Sequence, residues 1–152
     1  MRHAARLGAV AILVCILGGV GSHARTERGW MSEGAMRAAF IGKTLDGYYA
    51  DGEDWTESYG ADGRLDYRDR RKNSLGSWYF RDRVFCTFYD RQTLDGGCFT
   101  ALQTSANCYE FYLAGFSERE ADKPPPLGPV GRWVARAWRR GEPSTCEPSP
   151  TV

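Results

Sequence analysis

The sequence predicts a mainly β fold, a small antiparallel meander barrel or sandwich with a short N-terminal helix and a C-terminal amphipathic helix. Short aromatic and β-branched runs recur about every 8–12 residues from residue 44 onward, which is the strand spacing of such folds. Asp-Gly dipeptides occur among these runs, and glycine accepts the positive φ that a tight hairpin turn needs. No stretch supplies the crossover helices that a parallel sheet requires.

Seven strands are predicted in the central part of the chain. Apolar side chains recur there at every second residue, as at Trp55 and Tyr59 or at Trp78 and Phe80, so one face of each strand is expected to be buried. The run 83–89 is apolar on both faces, which predicts a central strand. The predicted strands are residues 44–50, 53–59, 64–69, 75–80, 83–89, 97–103 and 108–114.

A short helix is predicted before the first strand, from Ser32 to Ile41. Ser32 is a residue type that caps helix N-termini, and Gly42 stands where a helix commonly ends in a glycine. Met36 and Phe40 lie four residues apart and give the helix an apolar side.

The first 24 residues predict a cleavable signal peptide. Arg2 and Arg6 precede fourteen uncharged residues, and the small residues Ser22 and Ala24 stand just before the predicted cleavage site. The uncharged run is shorter than the roughly 20 residues with which a helix crosses a membrane. We expect a periplasmic or secreted protein, with no transmembrane segment after signal cleavage.

Cysteine number predicts two disulfides. Cys15 leaves with the signal, and four cysteines remain, an even number in a small exported chain. Four cysteines allow three connectivities. A hairpin between two consecutive strands favours pairing Cys86 with Cys98, which leaves Cys108 for Cys146.

The predicted signal also contains the only two histidines, His3 and His23. A mature chain without imidazole excludes Ser-His-Asp catalysis and histidine-ligated zinc, so neither a metal nor a cofactor is expected. The whole chain has 20 basic and 19 acidic residues. This near-neutral balance gives no electrostatic reason to expect a nucleic-acid partner.

The composition changes after residue 117. We therefore divide the chain into the signal peptide 1–24, a helix-plus-barrel domain 25–117, and a Pro-rich tail 118–152 that contains a basic amphipathic helix at 130–140. One interpretation is that this helix docks on the barrel. The other is that it contacts a membrane surface or an envelope protein. The contact candidates are Trp133, Trp138, Arg132 and Arg136.

The aromatic content exceeds what a plain barrel core needs, and tyrosine and tryptophan can present a polar group at the rim of a pocket. Core packing is the competing explanation. The candidate binding residues are Trp55, Tyr59, Tyr67, Trp78, Tyr89 and Tyr112. Acidic residues among the aromatic strands, Glu57 and Glu110, leave open a glycan-acting hydrolase that uses carboxylates alone.

Several segments carry a family resemblance: residues 42–47, 55–64, 76–78, 85–89, Cys98 and residues 109–112. In them the chain resembles a family of small exported proteins of Gram-negative bacteria whose function is uncharacterised. The resemblance covers roughly residues 33–114 and implies a lipocalin-like antiparallel barrel preceded by a helix. It implies no catalytic residue.

The sequence therefore favours a non-catalytic exported binding or interaction domain of the periplasm or cell envelope. Its expected partner is a small ligand, apolar or carbohydrate-like, or an envelope protein. The alternatives are the carboxylate-only hydrolase and an envelope structural or protein-interaction factor that uses the C-terminal helix.

Overall fold

A computed structural model of the chain describes residues 29–81, 83–90, 96–115 and 131–150. The predicted signal peptide at 1–24 and the proline run at 124–126 lie outside the described residues. Within the described residues, no helix is long and apolar enough to cross a membrane.

The described residues form one α-helix and eight strands, and the strands make one closed antiparallel barrel. Each strand pairs with the next along the chain, and the last pairs with the first, so no sheet edge is left without a partner. The elements are α1 (Glu33–Phe40), β1 (Thr44–Tyr49), β2 (Asp54–Tyr59), β3 (Arg64–Asp69), β4 (Asn73–Arg81), β5 (Val84–Tyr89), β6 (Gly97–Ser105), β7 (Cys108–Gly115) and β8 (Ala135–Arg139).

The seven predicted strands are confirmed to within a few residues at each end. Two of the Asp-Gly dipeptides form turns, with φ of 87° at Gly52 and 86° at Gly63. A third Asp-Gly dipeptide, Asp46-Gly47, lies inside β1, within the predicted strand 44–50. A Cβ at Gly47 would stand 2.5 Å from the Trp55 ring, so this glycine makes room for that tryptophan.

The prediction of an amphipathic helix at 130–140 is wrong, because β8 occupies residues 135–139. Ala135 and Ala137 are buried, and Arg136 and Trp138 alternate with them on the outer face. β8 closes the barrel by pairing with both β1 and β7. As a strand between β1 and β7, this segment gains backbone hydrogen bonds on both sides. A helix of about eleven residues would be only marginally stable by itself.

The N-terminal helix is confirmed and covers one end of the barrel. The Ser32 hydroxyl accepts a hydrogen bond from the Ala35 amide at 3.2 Å, and Gly42 has a φ of 70° just beyond the helix. Met36 and Phe40 are completely buried in the core. We call the end of the barrel where α1 enters β1 the closed end, and the opposite end the open end.

Both predicted disulfides are confirmed. Cys86 and Cys98 lie directly opposite each other on β5 and β6, with Cα atoms 4.0 Å apart. Cys108, at the start of β7, is bonded to Cys146, with Cα atoms 4.9 Å apart. The second disulfide fastens the C-terminal segment to the outside of the barrel wall.

Ion pairs and aromatic contacts join the outer face of β8 to the neighbouring strands and to the C-terminal segment. Arg136 forms ion pairs with Glu110 at 2.7 Å and Glu147 at 3.0 Å, and its guanidinium lies 4.5 Å from the Trp133 ring centroid. The rings of Trp133 and Trp138 lie 6.0 and 6.2 Å from that of Tyr48 on β1. Of the four contact candidates, Arg132 is exposed and the other three are partly buried. Both tryptophans and Arg136 therefore contact the protein's own wall.

Candidate functional site

The interior of the barrel contains a cavity of about 80 Å³ towards the open end. Strand alternation creates it, because inward-facing residues of β1, β2, β5, β6, β7 and β8 converge there. Tyr59 and Phe85 lie at the closed-end side, where Phe85 packs against Phe40 of α1. The lining residues are Tyr49, Trp55, Glu57, Tyr59, Phe85, Thr87, Tyr89, Phe99, Phe111, Val134 and Ala135.

Glu57 is the one acidic residue among the described residues that line this cavity, and it is buried. It lies between Trp55 and Tyr59 on the inner face of β2. Its carboxylate accepts hydrogen bonds from the hydroxyls of Tyr59 and Tyr89. Burial raises the pKa of Glu57, and the two hydrogen bonds offset this only in part.

A second carboxylate lies close to the cavity, at the end of β3. The Tyr49 hydroxyl donates a hydrogen bond to that of Tyr67 at 3.4 Å, and Tyr67 donates to Asp69 at 3.0 Å. Burial acts to raise the pKa of Asp69, but the backbone amides of Arg71 and Lys72 donate to its carboxylate and lower the pKa overall. Asp69 is therefore charged at neutral pH and adds negative potential beside the cavity.

Aromatic rings make up most of the cavity wall. Trp55 packs against Tyr49 with ring centroids 5.9 Å apart, and Phe99 packs against Phe111 at 6.3 Å. No lysine, arginine or histidine is among the described lining residues. The site therefore combines an apolar wall with a carboxyl group that has no cationic partner there.

Three of the six predicted binding residues, Trp55, Tyr59 and Tyr89, line the cavity. Tyr67 does not line the cavity but contacts two lining residues, Tyr49 through its hydroxyl and Tyr89 through its ring, with centroids 5.5 Å apart. Trp78 lies in the core, where its indole Nε1 donates to the carbonyl of Gly60 at 2.9 Å.

Tyr112 lies on the outer face, where its hydroxyl donates to Glu110 at 2.8 Å. Its ring also packs against Trp30. Tyr112 therefore belongs to a different surface from the cavity. The lining residues that sequence reasoning did not select include Tyr49, Phe85, Phe99 and Phe111.

Glu57 and Glu110 lie on opposite sides of the barrel wall. Glu110 forms its ion pair with Arg136 on the outer face, whereas Glu57 lines the interior. A glycosidase needs two carboxyl groups on either side of one bond. This arrangement does not supply such a pair. The described residues also contain no group of three or more His, Cys, Asp and Glu side chains that could hold a metal ion.

We expect Glu57→Gln to remove a pH dependence from the free energy of unfolding. The pKa of Glu57 is higher in the folded protein than in the unfolded chain, so the protonated side chain favours the folded state. This stabilisation is fully present below the unfolded pKa of about 4.3 and is lost as pH rises through the folded pKa. The neutral amide has no such loss, so the variant should gain stability relative to wild type as pH rises. Urea denaturation at a series of pH values measures the difference.

Asp66→Asn is the matched control, because Asp66 is an exposed carboxylate on β3. Because it keeps Glu57, this variant should lose stability as pH rises, as the wild type does. Parallel profiles for wild type and Glu57→Gln would show that Glu57 titrates normally in the fold.

No protein family model, curated protein or solved structure matches the chain. The resemblance to a family of small exported bacterial proteins therefore stays a prediction.

Proposed function

We propose that this protein is an exported, non-catalytic binding domain of the periplasm or cell envelope that takes a small ligand into the open end of its barrel. The observation that carries the proposal is the interior cavity with Glu57 and its two tyrosine partners on the wall. Ligand sites in proteins are typically apolar concavities with a few convergent polar groups. This cavity has that composition.

The cavity dimensions limit what it can hold. A volume of about 80 Å³ fits a small molecule or one end of a larger molecule. The connections from β5 to β6 and from β7 to β8 leave the barrel at the open end, and residues 91–95 and 116–130 of these connections lie outside the described residues. The described mouth is formed by the strand ends and by the turns at residues 50–53 and 70–72.

Export is supported by the two disulfides. Such bonds persist in the periplasm and outside the cell and are rare in the reducing cytosol. One disulfide joins the neighbouring strands β5 and β6, and the other fastens the segment after β8 to β7. This is the arrangement expected of a small domain that must remain folded outside the cytoplasm.

The hydrolase alternative has one supporting observation and one opposing it. A buried carboxyl group with a raised pKa suits a general acid, as at Glu57. No second carboxylate is among the described residues that line the cavity. Binding without catalysis is therefore the better-supported function. The envelope-interaction alternative was based on a C-terminal helix, and residues 135–139 form a strand instead.

Ala135→Leu tests whether the cavity is the binding site. Ala135 lines the cavity from β8, and a leucine there would occupy part of the volume. We expect at least a tenfold loss of affinity, about 1.4 kcal/mol, for any small molecule that the wild type binds. Tryptophan fluorescence titration with a panel of short alcohols, amines and monosaccharides measures it, since Trp55 is in the wall.

Ser77→Leu is the control, because it adds the same side chain at an exposed position of β4. Near-ultraviolet circular dichroism establishes that both variants keep native packing. If Ala135→Leu is folded and retains wild-type affinity for its ligands, the interior cavity is not the site.

A further inference from the structure

We infer that the ligand is an organic cation whose ammonium group lies beside the Glu57 carboxylate within the aromatic wall of the cavity. The inference rests on the proposed function and names the chemical class of the ligand. It follows from three features of the described residues: an acid without a basic partner, a wall of aromatic rings, and a second carboxylate nearby.

The first feature is the charge of Glu57. Its side chain is buried, and its hydrogen bonds come from two neutral hydroxyls, those of Tyr59 and Tyr89. Burying a carboxylate without a cation is far more costly than burying an ion pair. The cavity beside Glu57 is lined by no described basic side chain, so a ligand can supply the missing positive charge.

The second feature is the composition of the wall. Seven of the described lining residues are aromatic: Tyr49, Trp55, Tyr59, Phe85, Tyr89, Phe99 and Phe111. Aromatic rings attract ammonium groups through their quadrupoles, and cages of such rings recognise methylated ammonium groups. A carbohydrate needs several hydrogen-bonding partners. Beyond Glu57 and its two tyrosines, the described lining offers three polar side-chain groups, and one of them, the Tyr49 hydroxyl, already donates to Tyr67. The other two are the Thr87 hydroxyl and the indole N–H of Trp55.

The third feature is the electrostatic setting. Asp69 stands behind the Tyr49 and Tyr67 hydroxyls and adds a second negative charge. The facing tyrosines from β1, β2, β3 and β5 have raised pKa values and are neutral over the usual pH range; they are Tyr49, Tyr59, Tyr67 and Tyr89. Lys72 offsets part of the Asp69 charge, but the described lining itself has no basic side chain, so an anionic ligand would be repelled by Glu57 and a cation would be attracted.

Cation binding at this place is coupled to proton release. The raised pKa means that Glu57 keeps its proton to a higher pH than an exposed glutamate does when no cation lies beside it. An ammonium group stabilises the carboxylate, so binding sends that proton to the buffer. Affinity should then increase as pH rises and level off above the folded pKa of Glu57.

The test uses pairs of probes with matched shapes and different charges. Choline is compared with the neutral 3,3-dimethylbutan-1-ol, and n-butylammonium with neutral 1-butanol, by calorimetry on the full disulfide-bonded chain. We expect each cation to bind at least tenfold more tightly than its neutral counterpart. Calorimetry in two buffers of different ionisation enthalpy should show proton release with the cations only.

Glu57→Gln should abolish the preference for the cations and the proton release, while affinity for the neutral probes stays within about threefold. Asp66→Asn removes one exposed negative charge elsewhere on the barrel and should keep the full preference. This control separates a local effect of Glu57 from a change in net charge.

The outcomes distinguish the inference from the proposed function. Neutral probes that bind as tightly as the cations, and lose affinity in Ala135→Leu, would overturn the cation inference and leave the binding barrel standing. A cation preference that persists in Glu57→Gln would also overturn it. If neither the cations nor the neutral probes bind, both proposals fail.

Discussion

Phe40→Ala should lower the free energy of unfolding by about 3–5 kcal/mol, which is a large part of the total stability of a domain this size. Phe40 has no solvent exposure. Its ring packs against those of Tyr109, Phe111 and Phe85 at centroid distances of 5.2, 5.4 and 5.8 Å. Truncation removes these contacts and leaves a void that the closed barrel cannot collapse to fill.

Urea denaturation followed by tryptophan fluorescence measures the loss. Leu75→Ala is the control, because Leu75 is a large apolar side chain that is 64% exposed on β4. Its truncation should change the free energy of unfolding by no more than about 0.5 kcal/mol. A loss below about 1 kcal/mol in Phe40→Ala would mean that α1 contributes little to the core.

Phe40→Ala should also alter the shape of the cavity, because Phe40 packs behind two residues of the cavity wall. Phe85 and Phe111 contact Phe40 on one side and line the cavity on the other. Phe40 thus supports two wall residues without touching the cavity itself. Helix α1 therefore links the closed end of the barrel to the shape of the site near the open end.

Most of the fold could be predicted because its signals are local. The capping serine and following glycine mark α1, and short aromatic and β-branched runs, several of them alternating, mark the first seven strands. Cys86 and Cys98 were expected to face each other because they lie on consecutive strands, and they are directly opposite in the barrel. Each of these inferences needs only neighbouring residues or one hairpin.

β8 was missed because its sequence matches two periodicities. Ala135 and Ala137 alternate with Arg136 and Trp138, which fits a strand, but the same segment also has apolar residues at helical spacing. The long-range pairing decides between them. Without β8, the facing edges of β1 and β7 would have unpaired backbone groups, and a helix cannot supply those hydrogen bonds.

The site could be predicted only in part for a related reason. Alternation places Trp55 and Tyr59 on one face of β2, and the same rule places Glu57 between them inside the barrel. Which residues of the other strands meet Glu57 depends on the stagger of the closed barrel. The alternation within one strand carries no information on how the strands are staggered. Tyr49 and Phe99 are therefore absent from the predicted binding residues, and Trp78 is among them although it lies in the core.

Replacement of Cys108 and Cys146 by serine together should cost about 4 kcal/mol, because the disulfide closes a separation of 38 residues in the unfolded chain. The Cys86–Cys98 disulfide, with a separation of 12, should contribute about 3 kcal/mol. Urea denaturation of the two double variants compares them. A smaller loss from the Cys108 and Cys146 pair than from the Cys86 and Cys98 pair would contradict the loop-entropy explanation.

The Cys108–Cys146 disulfide should also limit local opening of the hydrogen bonds that β8 makes with β1 and β7. The segment after β8 is held by Asn107, whose side-chain amide donates to the carbonyls of Arg139, Glu142 and Pro143, and by the Tyr48 hydroxyl, which donates to the carbonyl of Glu147. Without the disulfide, these contacts hold the segment together with the Arg140–Asp46 ion pair and the contacts of Thr145 and Glu147.

Amide hydrogen exchange can locate this effect. In the Cys108→Ser, Cys146→Ser variant, the amides of residues 135–139 should exchange faster than in wild type by more than the global loss of stability explains. The amides of β3 and β4, on the other side of the barrel, should follow the global loss alone. Uniform acceleration across all strands would show that β8 opens only when the whole barrel unfolds. Faster exchange confined to residues 135–139 would show that the Cys108–Cys146 disulfide keeps β8 paired with its neighbouring strands.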